Sequence, residues 1–533
     1  MRNEDNSVKH SGFWSLIVTQ FQGSFNDNAH KFIVIFLIAG MGLPIQQRDR
    51  LVLVVGALFS LPFILFSMAG GYLADRFSKR AVTIGTRAAE VLIMSVATAG
   101  LALKSVPVML AAIFLVSSES AFFGPSKYGL LPELLPAERL SWGNGILELG
   151  TFLAIISGTV AGGILAEQFR QGLVWAGLIL VGFSLMGLLT SLGIGRVSAA
   201  DPTRRFRFNF VSDFACQVRR IRADRTLLLA VLGNTYFWFL GALLQFNIVF
   251  YAADVLKLSE TDSGKLQAAV AIGIGIGSFV AGYLSGHKIE YGFIPLGSIG
   301  LSVFGFALSI STLSFTSFAV YLSLLGFASG FFVVPINALI QRRPEADKKG
   351  AIIGAANLLS FVGIFLASGA YYMMKAVAHL DPSQVFLASA VLTLGATFYV
   401  LVLMPDALLR LLLWAVVHSI YRIRVAGREN IPEKGGALLV CNHLSFIDAL
   451  LLMASTERRI RFLMYKGYYD RAFIKLFARM IDTIPISSEQ RPRELVRSLR
   501  EASNAIRQGD VVCIFAEGQM TRIGQLLPFR RGM

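Results

Sequence analysis

Gly71-Tyr72-Leu73-Ala74-Asp75-Arg76-Phe77-Ser78-Lys79-Arg80 closes one long apolar run and leads into the next. A degraded copy, Gly282-Tyr283-Leu284-Ser285-Gly286-His287, stands 211 residues later, again at the end of an apolar run. Working outward from these two points, runs long enough to cross ~30 Å of hydrocarbon fall at 13–41, 51–74, 81–103, 107–128, 143–166, 173–195, 226–252, 264–286, 291–313, 316–341, 350–377 and 384–404. The repeat sits at the end of the second and eighth of these twelve spans, so the chain reads as six helices, a connection and six more.

Composition agrees. Of 533 residues, 55% are hydrophobic and 15% are charged, where a soluble domain carries about 25%. A purely soluble enzyme and a disordered chain are both excluded. The net charge is nonetheless +16, and its placement is informative. With the N-terminus cytoplasmic, the inside loops hold about 18 basic residues and the outside loops roughly 7, which puts both termini inside. The longest inside connection, 196–225, carries Arg204, Arg205, Arg207, Arg219 and Arg220 among aromatics, a pattern suited to anionic membrane lipids and not to nucleic acid. Cys216, Cys441 and Cys513 are too few and scattered for a disulfide framework, and no metal site is expected.

The segment 71–80 resembles the loop signature of the major facilitator superfamily, with Ser78 where glycine is usual. The resemblance implies a twelve-helix, 6+6 transporter with halves at 1–195 and 226–405 joined by the basic linker 196–225. It also implies a gating loop built on Gly71, Asp75, Arg76 and Arg80. Asp75 can pair with the basic cluster and a neighbouring helix end; simple positive-inside topology accounts for the arginines equally well.

Ionisable residues inside spans are costly and face cavities or partners. Asp27 and Lys31 are four apart and can pair on one helix face; alternatively Asp27 stands in the cavity and holds a cation. Arg87 and Glu90 read as an i, i+3 pair, and Asn144 and Glu148 as an i, i+4 pair. Gly124-Pro125 is expected to break the fourth span near its end. With Asn28, Glu119 and Lys127 added, the first half offers a cavity of both charge signs, suited to a zwitterionic or anionic headgroup. The second half is poorer in charge but holds Asn234, Gln245 and Asn247.

Phe25-Asn26-Asp27-Asn28 with Lys31, and Ala121-Phe122-Phe123-Gly124-Pro125-Ser126-Lys127-Tyr128-Gly129-Leu130-Leu131-Pro132-Glu133, look like lysophospholipid transporters of the bacterial inner membrane. The substrate class is implied by that resemblance. The protein is expected to act as a monomer.

After Pro405 the texture changes. Leu408 to Tyr421 is short for a span, and 406–424 reads as an interfacial helix. From 425 onward short apolar runs alternate with charged helical stretches, an α/β pattern. Residues 406–533 hold 20 basic and 12 acidic side chains, half of the net charge. Arg458, Arg459, Arg461, Lys466, Arg471, Lys475 and Arg479 form a basic region suited to lipid phosphates. Within this quarter, His443 follows the apolar strand 437–441 and Asp448 lies five residues on, so a turn into a helix can bring the carboxylate back to the imidazole. The free ring nitrogen would then take a proton from an alcohol. Downstream, Glu517-Gly518 follows a second strand with Arg522 close by, a plausible phosphate site.

Asn442-His443 with Asp448, and Phe515-Ala516-Glu517-Gly518, resemble the glycerolipid acyltransferase family. The resemblance implies His443 and Asp448 as catalytic residues and Asn442, Glu517, Gly518 and Arg522 as substrate-binding ones. It also implies an acyl-carrier-protein or coenzyme A thioester as donor, with acyl carrier protein a possible partner and no bound cofactor. The second family block, here Ile481 to Ile486, lacks its usual arginine, though Arg491 and Arg493 follow. A fourth block would lie past Gly532, so 425–533 reads as a partial domain. Proteins of this type often continue into an acyl-carrier-protein ligase. The expectation is a lysophospholipid flippase fused to an acyltransferase. Two alternatives stand beside it: an exporter of drugs or small solutes with a vestigial scaffold domain, and a lysophosphatidate acyltransferase with a membrane anchor.

Overall fold

The computed structural model describes residues 2–39, 41, 44–169, 172–203, 210–258, 260–286, 289–310, 313–403, 408, 411–413, 416, 419–421, 423–427, 430–432, 435–445, 447–456, 458, 460–486, 492–521, 525 and 528. They fall into two compact units, 1–398 and 399–533.

The first unit is helical throughout. Its helices are α1 (Arg2–Ala39), α2 (Ile45–Arg76), α3 (Lys79–Ala102), α4 (Val106–Leu134), α5 (Leu140–Gln168) and α6 (Leu173–Leu192), then α7 (Phe210–Ala223), then α8 (Arg225–Phe250), α9 (Glu260–Leu284), α10 (Phe293–Leu308), α11 (Phe315–Arg342), α12 (Lys349–Tyr372) and α13 (Pro382–Leu403). Among the described residues, ten helices are long and apolar enough to cross a membrane. The other two of the twelve are α1, which carries ions along its 38 residues, and α10, which has 16. Side-chain caps fix several starts. Ser78 accepts from the Ala81 N–H at 3.4 Å, and Asp224 accepts from Thr226 and Leu227 N–H at 3.0 and 3.2 Å. The basic connection contributes the short helix α7, with Arg219, Arg220 and Arg222 exposed on it; Arg204, Arg205 and Arg207 lie outside the described residues.

The expected break at Gly124-Pro125 does not occur: α4 runs unbroken through Pro125 and Pro132. Pro125 removes the bond to the Ala121 carbonyl, and α2 packs against that spot. A side chain at Gly70 would stand 2.7 Å from the Ala121 oxygen. Neighbouring helices absorb such breaks inside a bundle.

Glycines weld the two halves at one end. A Cβ on Gly71 of α2 would meet the Gly350 carbonyl of α12 at 2.7 Å, and one on Gly282 of α9 would meet the Ser141 carbonyl of α5 at 2.9 Å. The two copies of the repeated element therefore occupy equivalent contacts between halves, and only glycine fits either.

The second unit is an α/β domain with a four-stranded parallel sheet, ordered β1 (Ala437–Cys441), β4 (Val511–Phe515), β2 (Ile460–Tyr465), β3 (Ile484–Ile486). Its helices are α14 (Asp448–Ser455), α15 (Lys466–Tyr469), α16 (Ala472–Met480) and α17 (Pro492–Arg507). One face of the sheet packs Met453, Ile460, Phe462, Ile481, Val511 and Cys513; the other packs Ile484, Ala502, Ala505 and Val512 beneath α17. The interfacial-helix expectation for 406–424 falls partly outside the described residues, Arg410 and Arg422 included. Residues 411–413 are helical, and Leu413 packs on the first of these clusters.

Candidate transport cavity and active site

A polar network crosses the interior of the first six helices. Gln22 and Asn26 of α1 donate to Glu90 of α3 at 2.9 and 3.1 Å, and Asn26 also donates to Ser184 of α6 at 2.8 Å. Arg87 pairs with Glu90 and reaches Glu119 of α4 at 2.6 Å, its guanidinium 4.6 Å over the Phe123 ring. A side chain at Gly23 would collide with that guanidinium, so α1 carries glycine there. Asp27, one turn further along α1, accepts from Ser120 at 2.6 Å, and its second oxygen is buried without a partner, as is one oxygen of Glu119. The Arg87–Glu90 pair expected from spacing is present. Gln22 and Ser120 were missed, and Asn26 was quoted only within a motif without a partner; the signal available was polar spacing of four along an otherwise apolar helix.

Asp27 and Lys31 do not pair. Lys31 turns back to Asn28 at 3.1 Å and lies 4.3 Å over the Phe59 ring, a cation–π contact that a spacing rule does not foresee. Asn144 and Glu148 do not pair with each other either. Asn144 and Gln341 of α11 exchange two hydrogen bonds of 2.9 and 2.8 Å, and Glu148 accepts from Asn337 of α11 at 3.1 Å and Tyr128 at 3.2 Å. Both therefore tie one half of the bundle to the other. Lys127 lies 4.5 Å over the Tyr128 ring.

At the welded end, buried Asp75 accepts from the first N–H groups of α12, Gly350 at 2.7 Å and Ala351 at 2.9 Å. A carboxylate at a helix N-terminus is stabilised by the helix dipole and by donors that would otherwise be orphaned. Arg80 caps the far end of α6 through the Ile194 and Leu192 carbonyls at 2.6 and 3.0 Å; Lys79 pairs with Glu133; Arg76 lies over the Tyr72 and Phe77 rings. In the second copy Gly286 takes φ +58° and no acid stands in its place.

In the second unit, β1 and β4 are neighbours in register, Cys441 opposite Phe515, so the loops after both strands meet. Ligands of parallel sheets bind beyond the carboxyl ends of strands. The two loops are stitched by Ala516 N–H to the Cys441 carbonyl at 3.1 Å and Thr521 N–H to the His443 carbonyl at 3.0 Å. His443 Nδ1 lies 3.0 Å from Asp448 Oδ2, the contact the spacing predicts. The same oxygen accepts from Leu444 and Ser445 N–H at 2.7 and 2.8 Å, which fixes the carboxylate and, through it, the imidazole. The ring stacks on Phe515 at 4.1 Å between centroids, a contact that the motif Phe515-Ala516-Glu517-Gly518 did not by itself foretell. Nε2 has no hydrogen-bond partner among the described residues. Asn442 is exposed; Glu517 is buried with both oxygens unpartnered, beside Gly518 at φ +66°. Arg522 and Arg491 lie outside the described residues, as does Arg459.

The basic region is not one free face. Arg458 donates to the Pro432 and Gly435 carbonyls at 2.6 and 2.7 Å, and Arg461 to the Asp482 carbonyl at 3.0 Å and to Glu501 at 3.2 Å. Both are spent holding the domain together, which corrects the expectation that they meet lipid.

Comparison with known proteins follows the same division. Residues 26–368 match the Major Facilitator Superfamily model, and residues 422–533 match the Acyltransferase model. The chain is 32% identical over 377 residues to the lysophospholipid transporter LplT of Klebsiella pneumoniae, covering 70% of this chain and 90% of that one. It is 31% identical over 359 residues to LplT of Citrobacter koseri, covering 66% and 84%. Its fold is shared with the human organic anion transporter MFSD10 (TM-score 0.61, 14% identity, 74% of this chain and 99% of the other). It is shared also with FucP in the outward conformation (TM-score 0.61, 10% identity, 73% and 97%). Fold and sites together define a multi-pass membrane transporter joined to an acyltransferase domain. The chain belongs to the Major Facilitator Superfamily.

Proposed function

We propose that the chain flips lysophospholipids such as lysophosphatidylethanolamine to the cytoplasmic leaflet of a bacterial inner membrane and reacylates them there. Both termini are then cytoplasmic, and the welded end is the cytoplasmic gate, latched by Asp75 on α12 with Gly71, Arg76 and Arg80 around it. The halves are 1–195 and 226–405, the linker 196–225, and the enzyme 425–533 behind an interfacial segment at 406–424. Asp27 receives the headgroup ammonium on its unpartnered oxygen, with Asn28, Lys31, Glu119 and Lys127 around it. Asn144 and Glu148, placed in the cavity by sequence, belong better to the gate.

In the enzyme, Asp448 holds the Nδ1 proton of His443, leaving Nε2 as the base. Nε2 takes the acceptor hydroxyl proton as the oxygen attacks the thioester carbonyl; the C–S bond then breaks and the thiol leaves with a proton returned by His443. The donor is an acyl-carrier-protein or coenzyme A thioester. Asn442, Glu517, Gly518 and Arg522 bind the lysolipid side of the reaction.

The observation that carries the reading is His443 held by Asp448 at a strand end, on a chain whose other unit is a facilitator bundle. The test is acylation of detergent-dispersed lysolipid by the full-length native chain. His443→Ala should lower the rate roughly 10²–10⁴-fold. A rate unmoved by that substitution sinks the assignment. Acceptance of lysophosphatidate alone would favour an anchored lysophosphatidate acyltransferase instead.

A further inference from the structure

At the end of the bundle opposite Asp75, α8 and α12 both run out into single π-helical turns, Tyr251–Val255 and Met373–Val377. Such turns concentrate at functional sites. The two ends are built alike. Leu258 N–H bonds the Ala252 carbonyl and Leu380 N–H bonds the Met374 carbonyl, both at 2.9 Å, and Lys257 and His379 both take φ +52°.

Two ladders of side chains face each other here at helical spacing of four. On α8 and its extension stand Phe246, Phe250 and Asp254; on α12 and its extension stand Tyr371 and Lys375. The Tyr371 ring lies 5.9 Å from Phe246 and 5.7 Å from Phe250, and Lys375 Nζ lies 5.6 Å over Phe250. Lys375 and Asp254 approach to 3.9 Å, past hydrogen-bond range, with side chains 28% and 55% exposed. Each keeps its bonding capacity. Below them, Tyr371 is 9% exposed and its hydroxyl has no partner. Helix packing alone leaves that hydroxyl unexplained, since an unpaired buried donor is destabilising.

We propose that this ladder is a capture site for a zwitterionic phospholipid headgroup at the end of the bundle opposite Asp75. Lys375 takes the phosphate, Asp254 takes the ammonium, and the Tyr371 hydroxyl donates to a phosphate or glycerol oxygen. Phe246 and Phe250 cover the start of the acyl chain. The order of chemistry along the ladder, charged at the rim and aromatic beneath, matches that of a lysolipid lying headgroup-outward. The site is separate from Asp27, which lies in the other half of the bundle. It rests on the lysophospholipid reading given above.

The test is initial uptake against concentration for two probes, lysophosphatidylethanolamine and lysophosphatidylglycerol, with the full chain in proteoliposomes. Lys375→Met should raise the half-saturating concentration of both about tenfold, the loss of one charge-assisted contact. Asp254→Asn should raise it for the ethanolamine lipid only. Tyr371→Phe should raise both by roughly threefold at unchanged maximal rate. A purely structural ion pair would respond to Asp254→Asn equally with both headgroups, or lower the maximal rate alone; either result overturns the site. Unchanged curves in all three variants overturn it as well. Wild-type protein that moves neither probe would overturn the transport reading itself and this site with it, an outcome recognisable without any variant.

Discussion

In the first six helices the ionisable side chains Arg87, Glu90 and Glu119 cross the interior, all nearly inaccessible to solvent. In the last six the same task falls to neutral groups. Ser298 and Ser302 bond Thr397, Tyr236 bonds Thr393 at 2.7 Å, and Asn234 donates to Ser360 at 3.0 Å. One repeated six-helix plan thus carries two kinds of core. A buried ion network is unforgiving, because removing one member leaves the others charged and unpaired. A hydroxyl network loses one modest bond at a time. The first half is accordingly where charge can be held in reserve, and the unpartnered oxygens of Asp27 and Glu119 lie there.

Substitutions can break this contrast. Arg87→Met strands Glu90 and Glu119 and should cost roughly 3–5 kcal/mol, read as a large fall in thermal unfolding temperature in detergent. If it melts like wild type, the ionic core is not what holds the first half. Gly71→Val forces α2 from the Gly350 carbonyl and should cost roughly 1–3 kcal/mol, with cysteines placed at the welded end becoming more reactive to membrane-impermeant reagents. Asp75→Asn removes the charge from the α12 N-terminus, worth up to ~2 kcal/mol in buried geometry; the same labelling should rise, by less. Thr397→Val in the second half should cost about 1 kcal/mol. A loss as large as that of Arg87→Met would erase the distinction between halves.

Much of this was legible in the sequence. The twelve spans follow from apolar run length, and the matching glycine contacts between the halves from a short element repeated at Gly71 and Gly282. The His443–Asp448 contact follows from a strand, a turn and a helix start in that order. The spacing pairs that did not form share a cause. Asp27 with Lys31, and Asn144 with Glu148, satisfy i, i+4 spacing, yet each found a partner on another helix or an aromatic face. Spacing reports neighbours along one helix and is silent on which helices touch. For the same reason Arg87 was legible as half of a pair but not as the hub joining α1, α3 and α4. Pro125 misled because its effect depends on what packs against the freed Ala121 carbonyl, and that is Gly70 of α2. Arg458 and Arg461 looked like a surface because their carbonyl partners come from distant loops.

In the proposed function, one chain delivers a lysolipid through a site at Asp27 and acylates it at His443. The direct measurement follows labelled lysophosphatidylethanolamine supplied outside spheroplasts that carry the full-length native chain, scoring entry and conversion to diacyl product separately. Asp27→Ala should abolish delivery, yet its solubilised protein should still acylate lysolipid presented in detergent. His443→Ala should deliver normally and convert nothing. Delivery unaffected by Asp27→Ala, or conversion unaffected by His443→Ala, would contradict these roles.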